Sequence, residues 1–262
     1  MSLAGQYAWV IGGVGTVGKG LARGLLRAGG TVLVNSRYPT RLRALAEDLG
    51  HPKQLIALQG SMLPGESEKL TEQVMEMTSG RLDHVVAHSG VQWWSNAGDE
   101  SSTLATASRI LDLGADEFAS AAMQLPRLHF EAARLLVPRL RNPTFSHSRS
   151  YTMVTGGQSG AGLAAINAHA ISGLSAALRN EVQDAQLTVS EVCMHLEVDR
   201  SAAERRAAPR ATPLSHELGS IVAGIAAAPA GAAAGLHTIA SAEDVASMMS
   251  RFEALDAPFD QH

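Results

Sequence analysis

The sequence predicts an α/β protein with a doubly wound parallel sheet. Three observations predict it: an apolar run leads into a glycine-rich turn and a helical pattern, a second apolar run follows that helix, and the alternation continues along the chain. The first strand is Tyr7 to Ile11, and the helix after the turn carries Val17, Leu21 and Leu25 on one face. Thr31 to Val34 is the second strand. Leu42, Leu45, Ala46 and Leu49 then recur at helical spacing, and Gly50 stops that helix. Leu55 to Leu58 reads as the third strand, Leu70, Val74 and Met77 mark a helix ending near Gly80, and Asp83 to Ala87 is the fourth strand. A polar stretch from Gln92 to about Thr106 holds Trp93 and Trp94, and loops of that length usually cover a site. Helical segments follow around Leu111 and from Phe118 to Leu140. Tyr151 to Thr155 is the fifth strand, Ala164 to Glu181 an alanine-rich helix, and Leu187 to Met194 the sixth strand. Asp199 to Ser215 lacks periodicity and lies where a substrate lid would leave the sheet. Leu236 to Ile239 is a short strand, and Ser241 with Asp244 predicts a capped last helix. Right-handed crossovers between these strands would cover the sheet on both faces. No repeat or boundary divides residues 1–262, so one domain is expected.

Composition narrows the function. The 262 residues can bury a full core. A net charge of −4 with scattered basic residues points to neither nucleic acid nor an anionic membrane. No apolar stretch reaches the roughly 18 residues of a membrane span, and the first apolar run is too short and glycine-bounded for a signal peptide. Cys193 is the sole cysteine, which excludes an intrachain disulfide and fits a cytoplasmic setting. No His, Cys, Asp or Glu spacing suggests a metal site.

The turn reads Gly12-Gly13-Val14-Gly15-Thr16-Val17-Gly18. Glycines at 13, 15 and 18 allow a tight turn and a close approach to a pyrophosphate, at a helix start whose N–H groups and dipole favour anions. An NAD site usually places a carboxylate at the end of the second strand to bind the ribose 2′-hydroxyl. This chain has Asn35-Ser36-Arg37 there, and the forked guanidinium of Arg37 suits a 2′-phosphate. The expected cofactor is NADP(H).

With that turn, Asn35-Ser36-Arg37, the fourth strand ending Ala87-His88-Ser89-Gly90 and the long helix after the fifth strand, the chain resembles the short-chain dehydrogenase/reductase family. The resemblance is firm to about Gly90 and loose beyond. It implies a Rossmann-type fold and cofactor contacts from Gly12, Gly13, Gly15, Thr16, Val17 and Gly18. It further implies contacts from Asn35, Ser36 and Arg37, from Ser61 and Met62 beside the adenine, and from Ala87, His88, Ser89 and Gly90. A homodimer or homotetramer built on the helices Phe118 to Leu140 and Ala164 to Glu181 is also implied. The family's catalysis resembles a relay in which a tyrosine four residues before a lysine protonates the substrate, with a serine orienting the carbonyl and an asparagine supporting the relay through water. The only lysines here are Lys19, Lys53 and Lys69, so no Tyr-x-x-x-Lys exists. Matching Ile171, Leu174, Leu178 and Glu181 to the family's helix puts Ala164 at the tyrosine position and Ala168 at the lysine position. Register slips bring Asn167 or His169 there. The serine position falls on Gly157, followed by Gln158 and Ser159, and the asparagine position falls near Gln124 or Leu125.

Three residues are therefore candidates for chemistry: His88, Asn167 and His169. Each has a plainer reading, as a ribose hydrogen-bond partner for His88 and as packing for the others. His195, Gln158 and Ser159 could orient a substrate, and Trp93 and Trp94 could cover a hydrophobic one. Arg127 could bind an anionic group, although a helix-surface charge is commoner. Tyr151 begins its strand, four residues or roughly 13 Å from the carboxyl end where ligands bind, and is rejected as the acid. Three functions remain open: an NADPH-dependent reductase of a carbonyl, imine or activated alkene of a small molecule, a non-reductive isomerase or cyclase, and an NADP(H)-binding pseudoenzyme.

Overall fold

A computed structural model describes residues 2–88, 110–141, 147–156, 163–183, 186–196, 198 and 215–252. Its sheet has seven strands: β1 Tyr7–Ile11, β2 Thr31–Ser36, β3 Leu55–Gln59, β4 His84–Ala87, β5 Arg149–Gly156, β6 Leu187–Met194 and β7 Gly235–Ile239. All are parallel, in the order β3-β2-β1-β4-β5-β6-β7. Strand order reverses between β1 and β4, the switch point where the carboxyl ends of an open α/β sheet form a ligand crevice. The doubly wound fold read from the sequence is the observed one.

Helices α1 Thr16–Arg27, α2 Pro39–Asp48, α3 Ser67–Met77, α4 Ala115–Leu140, α5 Leu163–Glu181, α6 Ser215–Ala227 and α7 Ala242–Arg251 cover the two faces, with a 3₁₀ turn at Ile110–Asp112 before α4. Strand alternation divides the core. Val10, Val34, Val86, Val154 and Val192 face α1, α6 and α7 in one apolar cluster. Trp9, Leu33, Val85, Tyr151, Met153 and Val189 face α3, α4 and α5 in the other. Each such fully buried side chain contributes about 1.5–3 kcal/mol.

Two element expectations change. Ser215, taken as the end of a lid, opens α6; residues 199–214 lie outside the described part. Helix α6 itself was not expected, yet Leu218, Ile221, Val222 and Ile225 repeat at helical spacing and are all buried. α1 and α6 cross at small residues, because a Cβ on Gly20 would meet the Ser215 backbone and one on Gly24 the Gly219 backbone. The last helix starts as expected: Ser241 Oγ accepts from the Asp244 amide at 3.1 Å, and Asp244 Oδ2 accepts from the Ser241 amide at 2.9 Å.

Candidate active site

The turn between β1 and α1 is glycine for three separate reasons. Gly12 holds φ at +79°, in the left-handed region. A Cβ on Gly13 would lie 2.6 Å from Val34 Cγ1, and one on Gly18 would lie 2.5 Å from Gly13 Cα and 2.6 Å from the Gly12 carbonyl oxygen. Gly15 differs, since its Cβ would meet nothing within 4 Å. It is the N-cap of α1, with no side-chain cap bond and no acidic residue in the first turn. The start of α1, where helix N–H groups and the dipole favour an anion, is therefore a cradle with no competing carboxylate in its own first turn. These residues fit a dinucleotide's pyrophosphate.

The end of β2 separates into buried and exposed parts. Asn35 is 5 % exposed, and both ends of its amide are engaged: Oδ1 accepts from Trp9 Nε1 at 3.1 Å and Nδ2 donates to the Gly60 carbonyl at 3.2 Å. It ties β1 and the turn after β3 to β2. Ser36 is buried, and its Oγ accepts from the Tyr38 amide at 3.2 Å. Arg37 is exposed, its guanidinium 5.5 Å from the Tyr38 ring centroid, and the Arg41 guanidinium lies 5.0 Å from the same ring. Two guanidinium groups thus flank one aromatic ring beside β2, and Arg41 was not singled out by sequence. Ser61 is buried and its Oγ accepts from the Leu63 amide at 3.1 Å. Met62 is 1 % exposed and belongs to the core cluster on the α3 and α4 side of the sheet, so its side chain is part of the core and not of an exposed surface.

His88 follows β4, with its amide donating to the Ile11 carbonyl at 3.1 Å and its ring Nδ1 lying 3.4 Å from the Val154 carbonyl. Burial pulls its pKa down to about 4, partly opposed by the Val154 contact. At neutral pH the ring is therefore uncharged, and with Nδ1–H directed at Val154 its Nε2 is an acceptor. That geometry suits a ribose hydroxyl better than proton donation. His129 on α4 is buried and lies close enough for His88 to add to the burial that lowers its pKa to about 3.

The other candidates scatter. Asn167 is 1 % exposed and its Nδ2 donates to the carbonyls of Leu163 at 2.9 Å and Ala121 at 3.4 Å, tying α5 to α4. His169 is exposed on α5. Leu125 is buried in the core, while Gln124 and Arg127 are exposed. Tyr151 is fully buried low on β5, and burial pushes its hydroxyl's pKa up. Ser89, Gly90, Trp93, Trp94, Gly157, Gln158 and Ser159 lie outside the described residues.

His195 stands just past β6, exposed, with its amide donating to the Ile239 carbonyl at 2.9 Å. Behind it lies a polar cluster that the sequence reading passed over. Cys193 Sγ is 3.5 Å from His195 Nε2, and Thr155 Oγ1 donates to Glu191 Oε1 at 2.9 Å. Glu191 Oε2 accepts from Arg179 at 2.5 Å, and the same Arg179 nitrogen donates to Ser175 Oγ at 2.6 Å. The available signal was Glu191 itself, a carboxylate inside the strand Leu187–Met194, every residue of which is buried.

Residues 6–112 match the model of the short chain dehydrogenase family. No curated protein matches the sequence significantly. Among solved structures, the chain is similar to the Pseudomonas aeruginosa RhlG/NADP active-site complex, at 18 % identity and a TM-score of 0.70, over 93 % of this chain and 98 % of that one. A dehydrogenase/reductase from Sinorhizobium meliloti aligns at 20 % identity and 0.70, over 92 % and 96 %. A metagenomic short-chain oxidoreductase in complex with NADP aligns at 16 % and 0.70, over 91 % and 98 %. At such identities the likeness establishes a shared fold.

Proposed function

We propose that the chain is a short-chain dehydrogenase/reductase that binds NADP(H) and reduces a carbonyl, imine or activated alkene of a small organic molecule with a non-standard proton donor. The observation that carries this reading is the pairing of an uncapped, glycine-cradled start of α1 with an exposed Arg37 at the end of β2. The family match over residues 6–112 spans both features, and two neighbouring structures are described as NADP complexes. Bound NADPH would supply the hydride, which is the difficult part of the chemistry. The first turn of α1 would hold the pyrophosphate, Arg37 would pair with the 2′-phosphate, and His88 Nε2 would accept from the nicotinamide ribose. Reduction of a pre-protonated iminium needs no strong acid, so that substrate class tolerates the missing tyrosine best.

The assignment of Ala164 and Ala168 to the family's tyrosine and lysine positions favours a second reading. In it the fold keeps NADP(H) as a structural element and serves a non-reductive isomerase or cyclase, or a pseudoenzyme. Titration with NADPH and NADH, followed by nicotinamide fluorescence, tests the common premise. Tight NADPH and weak NADH binding is expected, and no binding of either at millimolar concentration removes the cofactor from both readings. Oxidation of bound NADPH by 2,3-butanedione, an enone or 1-pyrroline then separates the reductase from the alternatives.

A further inference from the structure

We infer that the groove between the carboxyl-terminal end of α5 and the turn leading into β7 is a second binding site, built for a small aliphatic monocarboxylate that pairs with the outer edge of the Arg179 guanidinium. The site is separate from the proposed cofactor crevice and does not depend on that reading. Leu187 and Val189, which line it, belong to the amino-terminal half of β6. At about 3.3 Å per residue, Val189 lies roughly 17 Å down the strand from Met194, on the edge of the sheet away from the crevice.

The groove is open and has a volume of about 440 Å³, within the range of sites that hold small molecules. Its apolar floor follows from strand alternation and from the way α5 ends. Leu187 and Val189 share one face of β6, and Val182 directly follows α5. All three are buried in the core cluster on the α4 and α5 side of the sheet. Gly231 and Gly235, from the turn before β7 and its first residue, add to the lining. Arg179 is the one charged residue among those that line the groove. A single cation above an apolar floor selects a ligand with one anionic group and an apolar tail.

Arg179 is held in place before any ligand arrives. Its Nη1 donates to Glu191 Oε2 at 2.5 Å and to Ser175 Oγ at 2.6 Å. Glu191 is fully buried, and its other oxygen accepts from Thr155 Oγ1 at 2.9 Å, so both carboxylate oxygens are engaged. A guanidinium has five N–H donors, and these two bonds use the pair on Nη1. Nε and Nη2 have no hydrogen bond among the described residues, and neither is sealed from solvent in a side chain that is 18 % exposed. They project along one edge of the planar group, the geometry that takes a carboxylate in two parallel bonds. A buried ion pair is weak evidence of stability, because two apolar residues of similar volume usually serve as well. Glu191 has a further effect here, since a guanidinium already fixed does not have to be ordered when the ligand binds. Its charge also limits the ligand's. With Glu191 already offsetting Arg179, a monoanion is tolerated better than a dianion such as a phosphate monoester.

The test is a titration of the full-length chain, without cofactor, with hexanoate as the probe, read from the ¹³C-methyl NMR signals of Val182, Leu187 and Val189. Saturable shifts of these methyls are expected. 1-Hexanol, which lacks the carboxylate, and inorganic phosphate, which lacks the tail, should each bind at least about tenfold more weakly. Arg179→Lys keeps a cation beside Glu191 but lacks the planar edge, and should weaken hexanoate by about fivefold or more. The double variant Arg179→Met, Glu191→Met removes both charges at similar volume, a change that buried pairs usually tolerate. It should keep the native far-ultraviolet circular dichroism and bind hexanoate no better than hexanol. Ala234→Glu places a like charge in the lining at an exposed position, so it tests the groove without disturbing the core, and it should abolish the shifts. Absence of any shift of the three methyls at about 20 mM hexanoate overturns the proposal. Equal affinity for hexanoate and for hexanol or phosphate overturns it too, as does native binding by Ala234→Glu or by the folded double variant.

Discussion

In the proposed cofactor site the preference would fall to the exposed Arg37, because Asn35 and Ser36 are buried and hydrogen-bonded within the fold. Arg37→Asp is expected to weaken NADPH binding by more than about 1.4 kcal/mol, a tenfold change, and to leave NADH nearly unaffected. Equal losses for both in a fluorescence titration would mean that Arg37 does not read the 2′-phosphate. Buried histidines give a second expectation. Burial, with His147 adding to it, lowers His84 to about 3, and burial with His88 lowers His129 to about 3. Both lie below the ordinary 6.5, so the unfolded chain binds more protons as the solution is acidified. The stability these rings contribute is complete above pH 6.5 and is lost as pH falls toward 3. Thermal scans between pH 7 and pH 4.5 should show a falling Tm, with a shallower slope in His84→Gln; parallel slopes would sink the assignment. The glycines at 13, 15 and 18 were legible in sequence because the turn's constraint is local. The engagement of Asn35 and the burial of Met62 were not, because Asn35's partners Trp9 and Gly60 and the strand and helix residues that share Met62's core cluster, such as Val85 and Leu136, come from distant segments.

Among the helices, close approach and open space make opposite predictions for the same substitution. Glycine inside a helix costs about 1 kcal/mol relative to alanine, so Gly173→Ala in α5, whose Cβ would meet nothing within 4 Å, should stabilise by roughly 0.5–1 kcal/mol. Gly24→Ala in α1 would drive a methyl into the Gly219 backbone on α6. Two backbones cannot yield as a flexible side chain does, and the cost should exceed the propensity gain by about 1–3 kcal/mol. Urea denaturation of the two variants checks both signs, and a stable Gly24→Ala would mean that α1 and α6 do not touch as described. Strands β1 to β6 and α7 were readable from apolar runs and a capping box, signals contained within each segment. α6 carries the same kind of signal in Leu218, Ile221, Val222 and Ile225, but it follows an aperiodic stretch rich in Arg, Ala and Pro that obscured its start. The cluster around Glu191 could be located in sequence only as an oddity, since its partners come from β5 and α5 and meet only through strand register.

Over the whole molecule, α4 and α5 pack side by side over the sheet, and α4 leaves large apolar side chains uncovered: Met123 is 47 % exposed and Phe130 50 %. Seven residues apart, they lie within about 20° of one another around the helix and form one outward stripe. Single exposed apolar residues are ordinary, but two aligned on the longest helix are a surface that association would bury. The resemblance to short-chain dehydrogenases implies assembly through these same two helices, so a homodimer or homotetramer is expected in solution. Sedimentation equilibrium should give at least twice the monomer mass for the native chain. The double variant Met123→Glu, Phe130→Glu should sediment as a monomer with unchanged far-ultraviolet circular dichroism, because both side chains point away from the core. A native chain that sediments as a monomer would sink this expectation, and so would a double variant that still assembles, since the contact would then lie on another face.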